Sequence, residues 1–521
     1  MSWKRPHVCR VAGAGRSCHC QAVAGNQLTS RRLGRGNARR GRGLRRLLLA
    51  LSFAAISGCA GKYDQALDRD LRSAEGTLEL VDAGAASGGE TAQAPELGSE
   101  ASYLAVVLRE SPELRAAFER WRAARERIDT TRRLPEPTIS FAYFLRSVET
   151  RVGPQRAKLS LAQSFPWPGQ YEAAANAASA QARVKQRHFE ANALMLRERV
   201  ARAYWRLWFV RRAREIHREH LEIVRGLSET ILGRLSTGAA TLADQQQVDL
   251  RAARLTDAIA SFDDREAQAA AALRASCGLE PAIQTPTTQD AYAPELPVPA
   301  LEELAESLPA HPMIESFDFA AEAAEHRARA ERSKRLPGFA LRADWIITGD
   351  AVMPGTDQSG QDAVAVGAGV RVPLWQRAYS GGVDAAEAEG RASRADREAA
   401  LDRAQAQLKT QFSEVRESAR RIDLYEGTLI PQAAAAYDSL LGGYAVGRAT
   451  LAQTLLAQRE WLELRIELEQ ARAEHAQAWA ALEFVYGGPI EGRAVTAREL
   501  MSDADTQSGR GVGPQGESAD D

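Results

Sequence analysis

LSLAQSFPWPGQYEAAANAASAQARV (159–184) and VGAGVRVPLWQRAYSGGVDAAEAEGRA (366–392) follow one course: an alternating strand, a proline, a tryptophan, a polar turn, then a long alanine-rich helix. A second match lies further on, GRLSTGAATLADQQQVDLRAARLTDA (233–258) beside GGYAVGRATLAQTLLAQREWLELRIEL (442–468). There Gly238-Ala-Ala-Thr241-Leu242-Ala243 lines up with Gly447-Arg-Ala-Thr450-Leu451-Ala452. The chain is an internal duplication, and each repeat reads helix–strand–strand–helix–turn–helix.

Working outward, Ser99 to Arg133 reads as one helix, ended by Pro135 and Pro137. The alternating runs PTISFAYFLRSVE and AKLSLAQSFPW predict a hairpin over about 137–167. No proline falls between Pro168 and Pro281, and apolar residues such as Phe189, Leu196, Val200 and Tyr204 keep helical spacing. One helix from Tyr171 to Leu235 would be roughly 100 Å long. The chain then turns at LSTGAAT (235–241) and returns to about Cys277. In the second repeat, residues 301–334 read as one helix, GFALRADWII and AVAVGAGVRVPLW as strands, and Gly382 to Gly443 as a helix kinked at Pro431. The expected organisation is a leader and signal peptide (1–58), a lipidated flexible tether (59–98), a first repeat (99–280), a connector (281–300), a second repeat (301–488) and a disordered tail (489–521).

The leader holds twelve Lys/Arg and no acid, and removing those twelve from the chain's 67 basic residues leaves 55 against 68 acidic ones, net −13. Such a balance argues against a nucleic-acid partner. The apolar run Leu47–Ile56 is too short to span a bilayer as a helix. Preceded by RGLRR, it fits a secretory signal, and Ile56-Ser57-Gly58-Cys59 then matches a bacterial lipobox, which makes Cys59 the lipidation site. Of the other cysteines only Cys277 follows the leader, so neither a disulfide framework nor a zinc site is expected.

Two strands per repeat give four per chain, too few to close a barrel, and an open edge cannot sit in lipid. Three copies would supply twelve strands. The passages SFPWPGQ, RVPLWQRAYSGG, TGAATLAD and AVGRATLAQTLLAQR, together with the duplication, resemble the TolC-like outer-membrane factor family over roughly 99–488. The resemblance implies a mainly α fold with a small β part. Three chains would share a twelve-stranded outer-membrane β-barrel, continued by a long periplasmic α-helical barrel. It implies a homotrimer anchored in outer-membrane lipid, a periplasmic adaptor protein and an inner-membrane pump as partners, and no catalysis or cofactor. The expected function is a passive exit duct for drugs, metal ions or other small molecules. A type I protein-secretion duct, a periplasmic adaptor and an envelope coiled-coil protein are the alternatives; an adaptor would flank a single hairpin with compact β-domains.

Under that resemblance the two turns are adaptor-docking tips, Thr237, Gly238, Ala239, Ala240 and Thr241 in the first and Ala445, Val446, Gly447, Arg448, Ala449 and Thr450 in the second. It places Asp244 and Tyr444 where a gate link would form. The inward acidic positions fall on Gln453 and Leu456, neither of them acidic, with Asp249 as a substitute carboxylate. Enzyme motifs are missing: GAGVRV (367–372) lacks the third glycine of a nucleotide loop, and GxSxG, Walker A and HExxH do not occur. His217 and His220, one turn apart among Glu215, Glu219 and Glu222, read as a solvated charged face rather than a metal site.

Overall fold

A computed structural model describes residues 64–86, 98–278, 286–289, 292 and 299–490; Cys59, the leader and residues 491–521 lie outside the described residues. The first repeat comprises α2 (Glu100–Glu110), α3 (Pro112–Arg132), β1 (Thr138–Val148), β2 (Gln155–Phe165), α4 (Gln170–Ser236) and α5 (Leu242–Cys277). The second comprises α6 (Leu301–Ser307), a 3-10 turn (Leu308–Ala310), α7 (Pro312–Ser333), β3 (Gly338–Thr348), β4 (Ala363–Arg371), α8 (Gln376–Leu424), a π turn (Tyr425–Leu429), α9 (Ile430–Ala445) and α10 (Leu451–Tyr486). Ahead of both stands α1 (Asp64–Ala86).

The strands form one antiparallel sheet in the order β1-β2-β3-β4. The helices continuing from them pack in the same order, α3 on α4, α4 on α7 and α7 on α8. Away from the sheet, α4 packs on α5 and α10, and α10 on α8 and α9. Each chain is therefore a row four elements wide, with an open edge on either side. Near the sheet the row is held by an aromatic core in which Trp121 lies 6.0 Å from Phe118 and 5.7 Å from Phe189, ring centre to ring centre. Near the turns, Val224, Leu227 and Ile231 of α4 pack with Val248 and Leu255 of α5 and with Tyr444, Leu451 and Leu462 of the second repeat. Each such buried side chain contributes about 1.5–3 kcal/mol of transfer free energy.

Four readings of the sequence need correction. The flexible tether contains a docked helix, α1, whose Leu67, Leu71 and Ala74 are buried in the aromatic core. Its acids find basic partners on the body: Asp64 pairs with Arg132, Asp68 with Arg125 at 2.5 Å, and Asp70 with Arg183 at 2.8 Å. Secondly, the helix of 99–133 is broken at Ser111, because a residue before proline is driven out of helical geometry. Ser111 takes ψ 119° and caps α3 by accepting from the Leu114 N–H. Pro312 divides 301–334 for the same reason: His311 before it takes ψ 132° and caps α7 by accepting from the Met313 N–H at 3.1 Å, whereas Leu308 before Pro309 stays helical and the chain runs on into the 3-10 turn. Thirdly, α8 starts at Gln376 rather than Gly382; at Pro431, where a kink is expected, the helix carries a π turn. The preceding turn widens so that the Ile430 N–H donates to the Tyr425 carbonyl, and the helix passes Pro431 by a π turn. Lastly, the start of the expected disordered tail is packed, with Gly487 (φ 91°) ending α10 and Ile490 buried.

Candidate functional site: a two-faced sheet and paired turns

Side chains alternate across a strand, so the register decides which residues share a face. Ile139 stands opposite Leu161, Leu161 opposite Ala343, and Ala343 opposite Val366. One step along, Phe141, Leu159, Trp345 and Val364 form the next row. This face is apolar in every strand yet uncovered, with Ile139 72%, Phe141 66% and Val366 82% exposed. The other face carries Ser140, Ser160, Asp344 and Ala365 in one row. There Asp344 is held by Lys158 at 3.3 Å and Arg342 at 3.5 Å. At the foot of the sheet Trp167 stacks on Phe339 at 6.0 Å, while Trp375 is 76% exposed. An apolar patch of this extent on a folded chain marks a surface built for a membrane or a partner.

The two turns at the far end of the helices have the same construction. Gly238 (φ 71°) and Gly447 (φ 76°) take the left-handed conformation that ends one helix, and a Cβ there would be strained. Thr241 then caps α5 and Thr450 caps α10, each in a reciprocal box with the residue three further on. Thr237, Gly238, Ala239, Thr241, Ala445, Val446, Gly447, Arg448 and Thr450 are exposed, while Ala240 and Ala449 are half-buried.

The contact joining the repeats at this end comes from a residue the sequence did not single out. Arg234 of α4 donates to the Tyr444 carbonyl at 2.7 Å, and its guanidinium lies 4.7 Å from the centre of the Tyr444 ring. The same carbonyl, at the end of α9, also accepts from the Gly447 N–H at 3.1 Å, and an arginine there suits the negative end of the helix. Asp244 does not bond Tyr444. Its Oδ2 accepts from the Thr241 N–H and hydroxyl, both at 2.8 Å, and the Tyr444 hydroxyl is buried without a hydrogen-bond partner. Burial, and then the Asp244 charge, push the Tyr444 phenol above its usual pKa, with Arg234 pulling it down. Gln453 is likewise engaged in capping, its Oε1 accepting from the Thr450 N–H at 2.9 Å. Asp249 accepts from Gln245 at 2.8 Å and Ser228 at 3.3 Å.

Residues 104–279 and 304–488 match the family described as outer membrane efflux protein, one stretch in each repeat. The chain belongs to the outer membrane efflux protein family. It is 26% identical over 291 residues to the outer membrane efflux protein BepC of Brucella suis biovar 1, a match covering 54% of this chain and 60% of BepC. The chain thus spans about three-fifths of the length of that relative. Among solved structures, VceC of Vibrio cholerae aligns with a TM-score of 0.60 at 20% identity, covering 75% of this chain and 97% of VceC. CusC aligns with a TM-score of 0.63 at 16% identity, covering 77% and 96%. At these identities the likeness establishes a shared fold.

Within this outer membrane efflux protein the histidines are not a solvated face. His220 is fully buried between the repeats, 4.8 Å from the Trp461 ring centre. Gln458 Nε2 donates to its Nδ1 at 2.9 Å, and Arg465 lies 3.4 Å from its Nε2. Arg251 of α5 reaches the same Gln458 at 3.1 Å. His217 bonds the Ala213 carbonyl at 2.7 Å and packs on Phe262. The polar seam thus ties α4, α5 and α10 together. HREH was visible in sequence, but its partners lie more than 200 residues away.

Proposed function

We propose that this chain is the passive exit duct of a tripartite efflux pump, three copies forming an outer-membrane barrel continued by a helical tunnel. The observation that carries the reading is the four-stranded sheet, apolar on one face and polar on the other, aligned strand for helix with a four-helix row and open at both edges. An open sheet edge is excluded from lipid, so copies of the chain must close it. The apolar face then meets lipid, the polar face lines the passage, and strands of eleven residues in β1 to β3 suit a tilted span. The paired turns, exposed and alike in backbone, suit an adaptor joined to an inner-membrane pump that supplies the energy, and no catalysis is assigned. The cargo class is drugs, metal ions or other small molecules, as in the family.

Lipidation of Cys59 fits the docking of α1. Asp64 is pinned by Arg132 and by Ser179 at 3.1 Å, and Ser179 lies nine residues into α4, about 14 Å from its start. The five residues from Cys59 to Asp64 span at most about 18 Å, enough to bring a lipid to the foot of the sheet.

The gate is assigned to the paired turns, with Arg234 and Tyr444 as its latch and Asp244, Gln453 and Asp249 beside it. The purified chain is expected to run as heat-dissociable trimers and to conduct ions in planar bilayers. Arg234→Ala is expected to raise single-channel conductance several-fold, and Arg234→Lys to restore part of the restraint. Monomers without conductance would overturn the duct; unchanged conductance in Arg234→Ala trimers would overturn the latch alone.

A further inference from the structure

β1 and β4 each pair on one side only, and in the apolar rows described above their large residues are more exposed than those of the inner strands. Val370 and Val372 are each 61% exposed and Phe141 66%, against 38% for Leu159 and 47% for Trp345. We infer that β4 of one copy closes on β1 of the next in one register: Val372 opposite Ile139, Val370 opposite Phe141 and Ala368 opposite Tyr143. The inference rests on the barrel reading above and goes further, because it fixes which residues of a second copy each edge receives.

The chain already holds one example of such a seam. β2 and β3 come from different repeats, and their ladder starts at Phe165 opposite Phe339. Phe165 immediately precedes Pro166, and Phe339 lies two residues after Pro337. Proline has no N–H to give, so a proline on each strand ends the ladder there. The outer edges carry the same punctuation, since Val372 immediately precedes Pro373 and Ile139 lies two residues after Pro137. Applying the inner rule to the outer edges sets Val372 opposite Ile139.

Two independent requirements agree with this register. A slip of one residue would turn the apolar face of one copy to the polar face of the next. A slip of two in either direction keeps the faces aligned but draws Pro373 or Pro137 into the ladder. Closure is the second requirement. Stepping across opposite residues from Ile139 leads through Leu161, Ala343 and Val366, and over the seam to Leu145 of the next copy, six residues further along β1. Three copies then give a shear of about 18 over twelve strands and a tilt of about 45°, the ordinary value for barrels. The slip that pulls in Pro373 would raise the shear to about 24 and the tilt to about 54°, steeper than the usual range.

The test places one cysteine on each edge of the full-length chain, leaving buried Cys277 in place and using the parent as control. A bridging reagent is chosen to span directly opposite Cβ atoms, about 5 Å apart, rather than diagonal ones at about 7–8 Å. Val370→Cys with Phe141→Cys is expected to yield at least tenfold more covalent trimer than Val370→Cys with Tyr143→Cys or with Ile139→Cys. Preferential linkage of either slipped pair overturns the register and leaves the barrel standing. Native trimers that link through none of the pairs overturn the β4-to-β1 seam. Chains that never trimerise refute the barrel reading itself.

Discussion

Phe141→Arg is expected to keep the chain out of the outer membrane, whereas Ser140→Arg, one residue away on the same strand, is expected to insert. Phe141 is 66% exposed on the apolar face, opposite Leu159, and Ser140 faces the other way, opposite Ser160. If the apolar face meets lipid, an arginine at mid-strand costs about 2–4 kcal/mol per copy, repeated in each copy of the barrel. On the polar face the same side chain joins Lys158 and Arg342 in water. The readout is the amount of heat-dissociable trimer in the outer-membrane fraction, expected to fall at least tenfold for Phe141→Arg and less than twofold for Ser140→Arg. Equal yields would mean that the two faces meet similar surroundings, and the lipid-facing assignment would fail.

The difference between those two residues was legible in the sequence, because alternation with period two is a local property. So were the long helices, carried by apolar spacing and the lack of proline over more than a hundred residues. What escaped depends on contacts distant in sequence. Among its described side chains the helix α1 buries Leu67, Leu71 and Ala74, and its acids matter because Arg125, Arg132 and Arg183 wait on other helices. Read alone, an acidic Gly/Ala stretch looks like a tether. The breaks at Pro112 and Pro312 were readable in principle, since the α region is disfavoured for the residue before a proline. Pro431 gave no such break because widening one turn absorbs the missing N–H and the ring.

The candidate site divides along the same line. Gly238, Thr241, Gly447 and Thr450 announce the turns by themselves, since left-handed glycines and threonine caps act within a few residues. Asp244 is engaged locally instead of bonding Tyr444. Thr241 and Asp244 form a capping box, in which the carboxylate is held by two donors on its own turn. Arg234 carried no signal beyond being basic in the last turn of a helix, where it suits the carbonyl ends of its own helix equally well. Only the packing of α9 beside it makes the Tyr444 carbonyl its partner.

His220 sets the second large expectation: the assembled protein loses stability as pH falls from about 6.5, and His220→Gln reduces that loss. In the unfolded chain this imidazole has its ordinary pKa near 6.5, while in the fold it is pushed down to about 3, first by burial and then by the guanidinium charges of Arg465 and Arg251 and by His217. The folded state therefore binds fewer protons than the unfolded state between those values. The stability is present in full above about 6.5 and is lost progressively towards pH 3. Each pH unit across that window costs about 1.4 kcal/mol, so about 3 kcal/mol is lost by pH 4.5. Glu219, paired with Arg465 at 2.7 Å, is the nearby carboxylate, and it too stands at the seam rather than against the imidazole. Glutamine keeps a polar side chain beside Gln458 and cannot take up a proton. His188, His217 and His311 are also held below their usual pKa by burial, so the variant retains a shallower acid dependence. Heat dissociation of trimers followed from pH 7.5 to 4.5 should show the wild-type midpoint falling more steeply than that of His220→Gln. Parallel slopes would mean that His220 does not hold the repeats together as a buried neutral imidazole.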